Sequence, residues 1–213
     1  MNLLRQLDDR LLLSVNDFAR STTWLHPLLN GYATYGVVLF AALLLVGLIS
    51  ARLSANRQLA AAGWACVASL LAVGLNQPFG HLFDEARPYV THPHLLVLAT
   101  RSSDLAFPSD HAVMAGAVAA GLLLVSKRLG LLAAVAAVLM AFARVYIGAH
   151  YPGDVLGGLV FGAAVSLLGW LLLRVPLIAL TRWLRRQPPL RAVFVDTTSA
   201  HPSSVAAHLG TCR

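Results

Sequence analysis

The sequence predicts an all-α, polytopic membrane helix bundle with about five transmembrane helices and an N-terminal amphipathic helix lying in the interface. Three observations predict it. Of 213 residues, 58% are hydrophobic and only 12% charged, at a mean hydropathy of +0.71, whereas a soluble domain carries about a quarter charged residues. Five apolar stretches, at 28–50, 59–75, 111–125, 129–148 and 154–175, approach the ~20 residues that a spanning helix needs. The basic residues gather in alternate links between these stretches, as expected of cytoplasmic loops.

Residues 2–20 place Leu3, Leu4, Leu7, Leu11, Leu12, Val15 and Phe18 at helical spacing, with Arg5, Asp8 and Asp9 largely off that stripe. The segment is too polar to span, so it is expected to lie in the membrane interface or to pack on the protein itself. The third stretch is short and is expected to gain a turn through Ser126-Lys127-Arg128, whose basic side chains can reach the interface. Gly153, Gly157, Gly158 and Gly162 form small-xxx-small pairs on the fifth stretch, which favours close helix packing. From 187 the chain is rich in Pro, Ser, Thr and Ala without an apolar period. One membrane domain over 1–186 and a loosely ordered cytoplasmic tail over 187–213 are therefore expected. No removable signal peptide is expected at the N-terminus. Cys66, inside an apolar stretch, and Cys212, near the C-terminus, suggest neither a disulfide nor a zinc site.

The net charge of +7 does not form a basic stripe interleaved with aromatics, so nucleic acid is not an expected partner. Threading five spans alternately puts Arg52, Arg57, Lys127, Arg128, Arg182, Arg185, Arg186 and Arg191 on one side. By the positive-inside rule that side is cytoplasmic. The link 76–110, the turn around His150 and the N-terminal helix then lie outside.

That outer side collects the residues suited to chemistry. Arg144, His150 and Asp154 stand where one apolar stretch gives way to the next, Pro108-Ser109-Asp110-His111 opens another, and Arg87-Pro88 lies in the outer link. Polar groups at membrane depth are costly unless paired, solvated or used. Metal-free hydrolysis of a phosphate ester requires a nucleophile, a neutralising cradle and a proton for the leaving group. His150 suits the nucleophile if Asp154 holds its other ring nitrogen; the plain alternative is an interfacial pair in which Asp154 caps the fifth helix. Arg87 and Arg144 supply planar forks that match phosphate oxygens, against a plain reading as interfacial or snorkelling arginines. Ser109 reads as an N-cap, and the N–H groups of that helix start can receive phosphate.

These three pieces, in this order between 87 and 154, resemble the type 2 phosphatidic acid phosphatase (PAP2) superfamily of integral-membrane lipid phosphatases. The resemblance implies a phosphohistidine intermediate on His150 oriented by Asp154, His111 as the acid for the leaving group, and Arg87, Arg144 and Ser109 as phosphate contacts. It implies no cofactor and no metal. The family's first motif has a Lys seven residues before the Arg of Arg-Pro; here that position is Gly80, and His81 or Arg101 are the candidates to supply the charge. Asp110 stands where many members have Gly and is included among the substrate-facing residues. Both departures resemble the undecaprenyl-diphosphate phosphatase branch, which makes undecaprenyl diphosphate the leading expected substrate. Phosphatidic acid, phosphatidylglycerol phosphate or another polyprenyl phosphate are the alternatives. A non-catalytic membrane protein that binds phospholipid and a vanadium haloperoxidase-like enzyme are the readings from other classes. His92 and His94, with His81, lack acidic or Cys partners at ligand spacing and read as loop residues.

Overall fold

The computed structural model describes residues 3–187, and over these it is all-helical. The tail expected beyond Gln187, with Arg191 and Cys212, lies outside the described residues. The helices are α1 (Leu3–Ser21), α2 (His26–Ala51), α3 (Asn56–Gly80), the single turn α4 (Pro88–Thr91), α5 (Asp110–Val125), α6 (Lys127–Tyr146) and α7 (Pro152–Arg186), with a 3₁₀ turn at Thr23–Leu25 before α2. Among the described residues, α2, α3, α6 and α7 are long and apolar enough to cross a membrane, and α5 is a shorter apolar helix.

Helix α5 is the axis of the bundle. Its 16 residues rise only ~24 Å at ~1.5 Å each, but α3, α6 and α7 close around it and bury most of its side chains. Lipid offers no hydrophobic drive for one helix to prefer another, so close van der Waals packing has to hold them together. Alanine and glycine allow it: a Cβ on Gly116 would run into the backbone of Leu159, and one on Gly162 into the carbonyl of Val113. A Cβ on Gly158 would come within 2.9 Å of the Ser109 carbonyl. Of the four glycines expected to pack, Gly158 and Gly162 thus form the α5–α7 crossing, whereas Gly157 faces the Phe107 ring and Gly153 the Asp8 carboxylate. The opposite faces carry lipid-facing side chains such as Val38, Leu70, Val135 and Leu172, all exposed.

Several helix ends differ from expectation. The third stretch gains no extra turn, because Ser126 is extended and α6 begins directly at Lys127, with Gly130 pressed onto Leu123. Conversely, α3 continues through Pro78 to Gly80 and α7 through Pro176 to Arg186. At membrane depth the backbone has no water to bond, so a helix continues past polar residues and prolines that would end it in a soluble protein.

At one end of the bundle Arg185 donates to the carbonyls of Arg52 (2.9 Å) and Ser54 (2.7 Å), and Arg57 sits over the Trp170 ring. At the other end α1 buries Leu12, Asn16 and Ala19 against the protein while Leu3, Leu4, Leu7 and Leu11 stay exposed. Asn16 grips the loop after α4 twice, its amide donating to the Leu96 carbonyl (2.8 Å) and its oxygen accepting from Leu96 N (3.0 Å). The amides of Leu98 and Ala99 donate in turn to the Ile147 carbonyl. Gly148 takes φ +74° with the position of its missing Cβ 2.8 Å from the Leu96 carbonyl, so this turn requires glycine both for its backbone angle and for its fit.

This packing predicts opposite outcomes at two glycines. Gly162→Ala should lower the melting temperature of the detergent-solubilised protein, since overpacking costs about 1–3 kcal/mol. Gly74→Ala has open space around its Cβ and should keep or raise stability, by up to ~1 kcal/mol from helix propensity. Equal melting shifts would contradict the backbone-on-backbone crossing.

Candidate active site

The end of α3, the start of α5, the end of α6 and the two links beside them surround a cavity of about 640 Å³. Arg87, His111, Arg144 and His150 line it together with Asn76, Gln77, His81 and Asp110. Residues spread over 75 positions of the sequence therefore reach one polar space. Their helices bring them there: α5 starts at the cavity floor, α6 delivers Arg144 in its last turn, and the α6–α7 turn presents His150.

His150 is 2% exposed and the best-held group in the cavity. Its Nδ1 lies 2.8 Å from the carbonyl of Ala106. Its Nε2 lies 3.3 Å from Nη1 of Arg87 and 3.2 Å from Nη2 of Arg144. A carbonyl only accepts and a guanidinium only donates, so the proton is on Nδ1 and the lone pair of Nε2 faces the arginines. Burial, and then the charges of Arg144 and Arg87, hold the imidazole pKa well below 6.5. His150 is a neutral imidazole with its unprotonated nitrogen at the cavity.

The orienting partner differs from the expected one. Asp154 Oδ2 lies 3.5 Å from His150 Nδ1, but its 2.8 Å hydrogen bond is from the Tyr151 N–H, at the start of α7. The nearest partner of the ring is the Ala106 carbonyl, and Asp154 supports the turn from below. The geometry of Asp154 is thus that of a cap on α7 that also lies 3.5 Å from the ring nitrogen.

Arg87 is fixed by three bonds, with Nε donating to the Asp104 carbonyl (3.0 Å) and Nη1 also to the Ala149 carbonyl (3.2 Å). Arg144 keeps a buried Nε without a partner. Two like charges are thus held against one nitrogen, an arrangement that an anion between them would relieve. Ser109 occupies the N-cap position of α5, yet it makes no side-chain cap bond, and its fully buried Oγ has no partner. Capping alone does not account for this hydroxyl.

Asp110 is held by amide donors. Asn76 Nδ2 donates to its Oδ1 at 2.7 Å, and Gln77 Nε2 donates to both oxygens at 3.2 and 3.0 Å. Asn76 also donates to the Pro108 carbonyl at 3.0 Å, tying α3 to the residues before α5. The carboxylate is therefore satisfied by neutral groups and not by the arginines. A Cβ on Gly80 would meet the Phe107 carbonyl at 3.0 Å, which favours glycine at the position of the missing lysine. His81 lines the cavity and is exposed. Arg101 does not line it and instead sits over the Tyr89 ring, 5.6 Å from its centroid.

Sequence reasoning missed Asn76 and Gln77, which it placed in the outer link. Their signal was available: two amides at the end of an apolar run are polar groups at membrane depth. The Ala106 carbonyl left no signal, because a backbone acceptor is independent of residue type.

Known proteins share this arrangement of chain. Residues 61–176 match the PAP2 superfamily. Undecaprenyl-diphosphatase BcrC of Bacillus subtilis is 30% identical over 135 residues, covering 63% of this chain and 67% of the relative. A decaprenylphosphoryl-5-phosphoribose phosphatase of Mycobacterium tuberculosis is 36% identical over 125 residues, covering 58% and 66%. The crystal structure of a transmembrane PAP2-type phosphatidylglycerolphosphate phosphatase from Bacillus subtilis superposes with a TM-score of 0.61 at 21% identity, covering 87% of this chain and 90% of that one. That likeness carries the fold. With the family match extending over more than half of its length, this chain is an integral membrane protein of the PAP2 superfamily.

Proposed function

We propose that the protein is a membrane lipid phosphatase that hydrolyses undecaprenyl diphosphate to undecaprenyl phosphate and inorganic phosphate through a phosphohistidine on His150. The observation that carries this reading is the convergence of Arg87 and Arg144 on the unprotonated Nε2 of a buried, neutral His150. A phosphoryl group placed between the guanidinium groups meets the lone pair and the charges it needs at once. The diphosphatase named among the relatives supports the substrate, and the phosphatase of a decaprenyl phosphosugar keeps another polyprenyl phosphate as the second reading.

In the proposed reaction Nε2 of His150 attacks the terminal phosphorus and the bridging P–O bond breaks. His111, on the cavity wall, gives its proton to the departing lipid monophosphate. Water then attacks the phosphohistidine and its proton passes to His111. The N–P bond breaks and inorganic phosphate leaves. Arg87, Arg144 and the free Ser109 hydroxyl hold the phosphoryl oxygens, and Asp154 supports the turn that carries His150. Asp110 acts through its amide partners, shaping the floor of the cavity.

The experiment is a substrate panel in detergent, comparing undecaprenyl diphosphate with phosphatidic acid and phosphatidylglycerol phosphate. The diphosphate should give the highest kcat/KM, and equal or higher values for the glycerolipids would overturn the substrate assignment. In the same assay Arg87→Gln should lower kcat/KM about ten- to a hundredfold, the loss of one charge-assisted bond worth roughly 1.5–3 kcal/mol. The pH profile gives a second readout. A positive neighbour disfavours the imidazolium, so the acid limb from His150 should lie well below pH 6.5. Removing Arg87 should move that limb to higher pH. An unmoved limb would detach Arg87 from the ring.

We also propose that the cavity opens outside the cell, that the C-terminal tail is cytoplasmic, and that α1 runs along the outer interface. The arginine-rich end supports this orientation. With Cys66 and Cys212 replaced by Ser, a Val90→Cys variant in the outer link (64% exposed) should react with an impermeant maleimide in intact cells. An Ala55→Cys variant, between α2 and α3, should not react. The reverse pattern would put the chemistry on the cytoplasmic face.

A further inference from the structure

A second cavity, of about 1120 Å³, lies between α1 and the start of α7. Its apolar walls are Leu4, Leu7 and Leu11 of α1, with Phe83, Phe107 and Leu156 opposite. Among the described residues nothing covers these leucines: Leu4 is 76%, Leu11 54% and Leu156 61% exposed. At the groove α1 is tied to the start of α7 by the Asp8 carboxylate, which accepts from the Gly153 N–H at 2.7 Å. A Cβ on Gly153 would come within 2.9 Å of that carboxylate. Arg5, Asp8, Asp84, Glu85 and Asp154 line its polar edge, and burial raises the pKa of both Asp8 and Glu85.

The groove adjoins the site of His150. Asp84 and Phe107 line both cavities, so a single partition separates them. Beside Asp84 that partition is aromatic: Phe83 meets Phe107 edge-on at 4.7 Å, and the Phe107 ring lies over Gly157, where a Cβ would be 2.6 Å away. A lipid phosphate whose head lies between Arg87 and Arg144 has its chain in a polar cavity floored by Asn76, Gln77 and Asp110. An apolar chain is unfavourable there. The adjoining apolar space across the Phe83–Phe107 edge is the groove under α1.

We propose that this groove holds the first isoprene units of the substrate's polyprenyl chain, so that α1 selects for chain-bearing diphosphates. The inference rests on the phosphatase reading of the first cavity and adds a subsite to it. Aliphatic and aromatic walls grip a branched hydrocarbon by area alone, and burying one Leu-sized group is worth about 1.5–3 kcal/mol, roughly tenfold or more in affinity. The continuity of walls assigns the groove to the substrate's own chain in preference to a bilayer lipid.

The test uses the full-length protein in detergent micelles, with undecaprenyl diphosphate and methyl diphosphate, which carries no isoprene unit, as parallel substrates. Three variants are compared: Leu7→Ser strips a wall, Ala86→Trp fills the space from an exposed lining position, and Leu3→Ser removes an exposed leucine of α1 outside the groove. Leu7→Ser and Ala86→Trp should each lower kcat/KM for undecaprenyl diphosphate about tenfold, through KM. They should change methyl diphosphate less than about twofold, and Leu3→Ser should leave both substrates unchanged. Equal losses on both substrates, or no loss on either, would overturn the subsite. A long-chain loss in Leu3→Ser equal to that in Leu7→Ser would overturn it too, assigning the leucines to micelle or bilayer contact. A wild-type protein that hydrolyses neither diphosphate would instead overturn the phosphatase reading, and the subsite with it.

Discussion

Two guanidinium groups on one imidazole nitrogen is the arrangement on which the rest of this end of the bundle depends. Arg87 and Arg144 repel each other, and each needs acceptors to stay in place. His150 serves both only because its Nδ1 proton is committed to the Ala106 carbonyl, which leaves Nε2 as an acceptor. Every neighbouring feature follows from holding those four groups still. The Asp104 and Ala149 carbonyls hold Arg87, Asp154 fixes the Tyr151 amide beneath the ring, and Gly148 turns the chain so that His150 faces inward.

That cluster is held by a bundle whose packing is unusually close at its centre. Because α5 presents Ala and Gly to α7, the Ser109 carbonyl and the start of α7 approach to backbone contact, and the Ser109 N–H donates to the Asp154 carbonyl at 3.2 Å. The residue before α5 and the first turn of α7 are thus joined backbone to backbone. From the side, α1 and the loop after α4 brace the same turn through Asn16, Leu96 and Ile147. The small residues that read in the sequence as helix-packing signals set the register of the polar groups above them.

Much of this was legible in the sequence, for physical reasons. Apolar stretches near span length leave few alternatives, and an Arg, a His and an Asp at membrane depth mark a site because lipid does not tolerate them idle. The same rule extends to Asn76 and Gln77. They looked like the start of a polar link because Pro78 follows, yet α3 carries on through Pro78 and uses their amides to hold Asp110. Helix ends such as Val125 and Arg186 depended on tertiary packing that periodicity does not encode. The hold on His150 escaped notice because Ala106 contributes a carbonyl, and Asp8 because its partner is the backbone N–H of Gly153. Arg101 was a reasonable candidate by charge, but it sits on Tyr89 away from the cavity.

The central claim is that Nε2 of His150 forms the bond to phosphorus, and rapid quenching tests it most directly. Purified protein mixed with undecaprenyl diphosphate carrying a labelled terminal phosphate would be stopped within a single turnover and digested. The account predicts an acid-labile, base-stable phosphate on the peptide containing His150, formed and lost fast enough to lie on the path to free phosphate. A His150→Ala protein that turns over at the wild-type rate, or a label found on another residue, would contradict it.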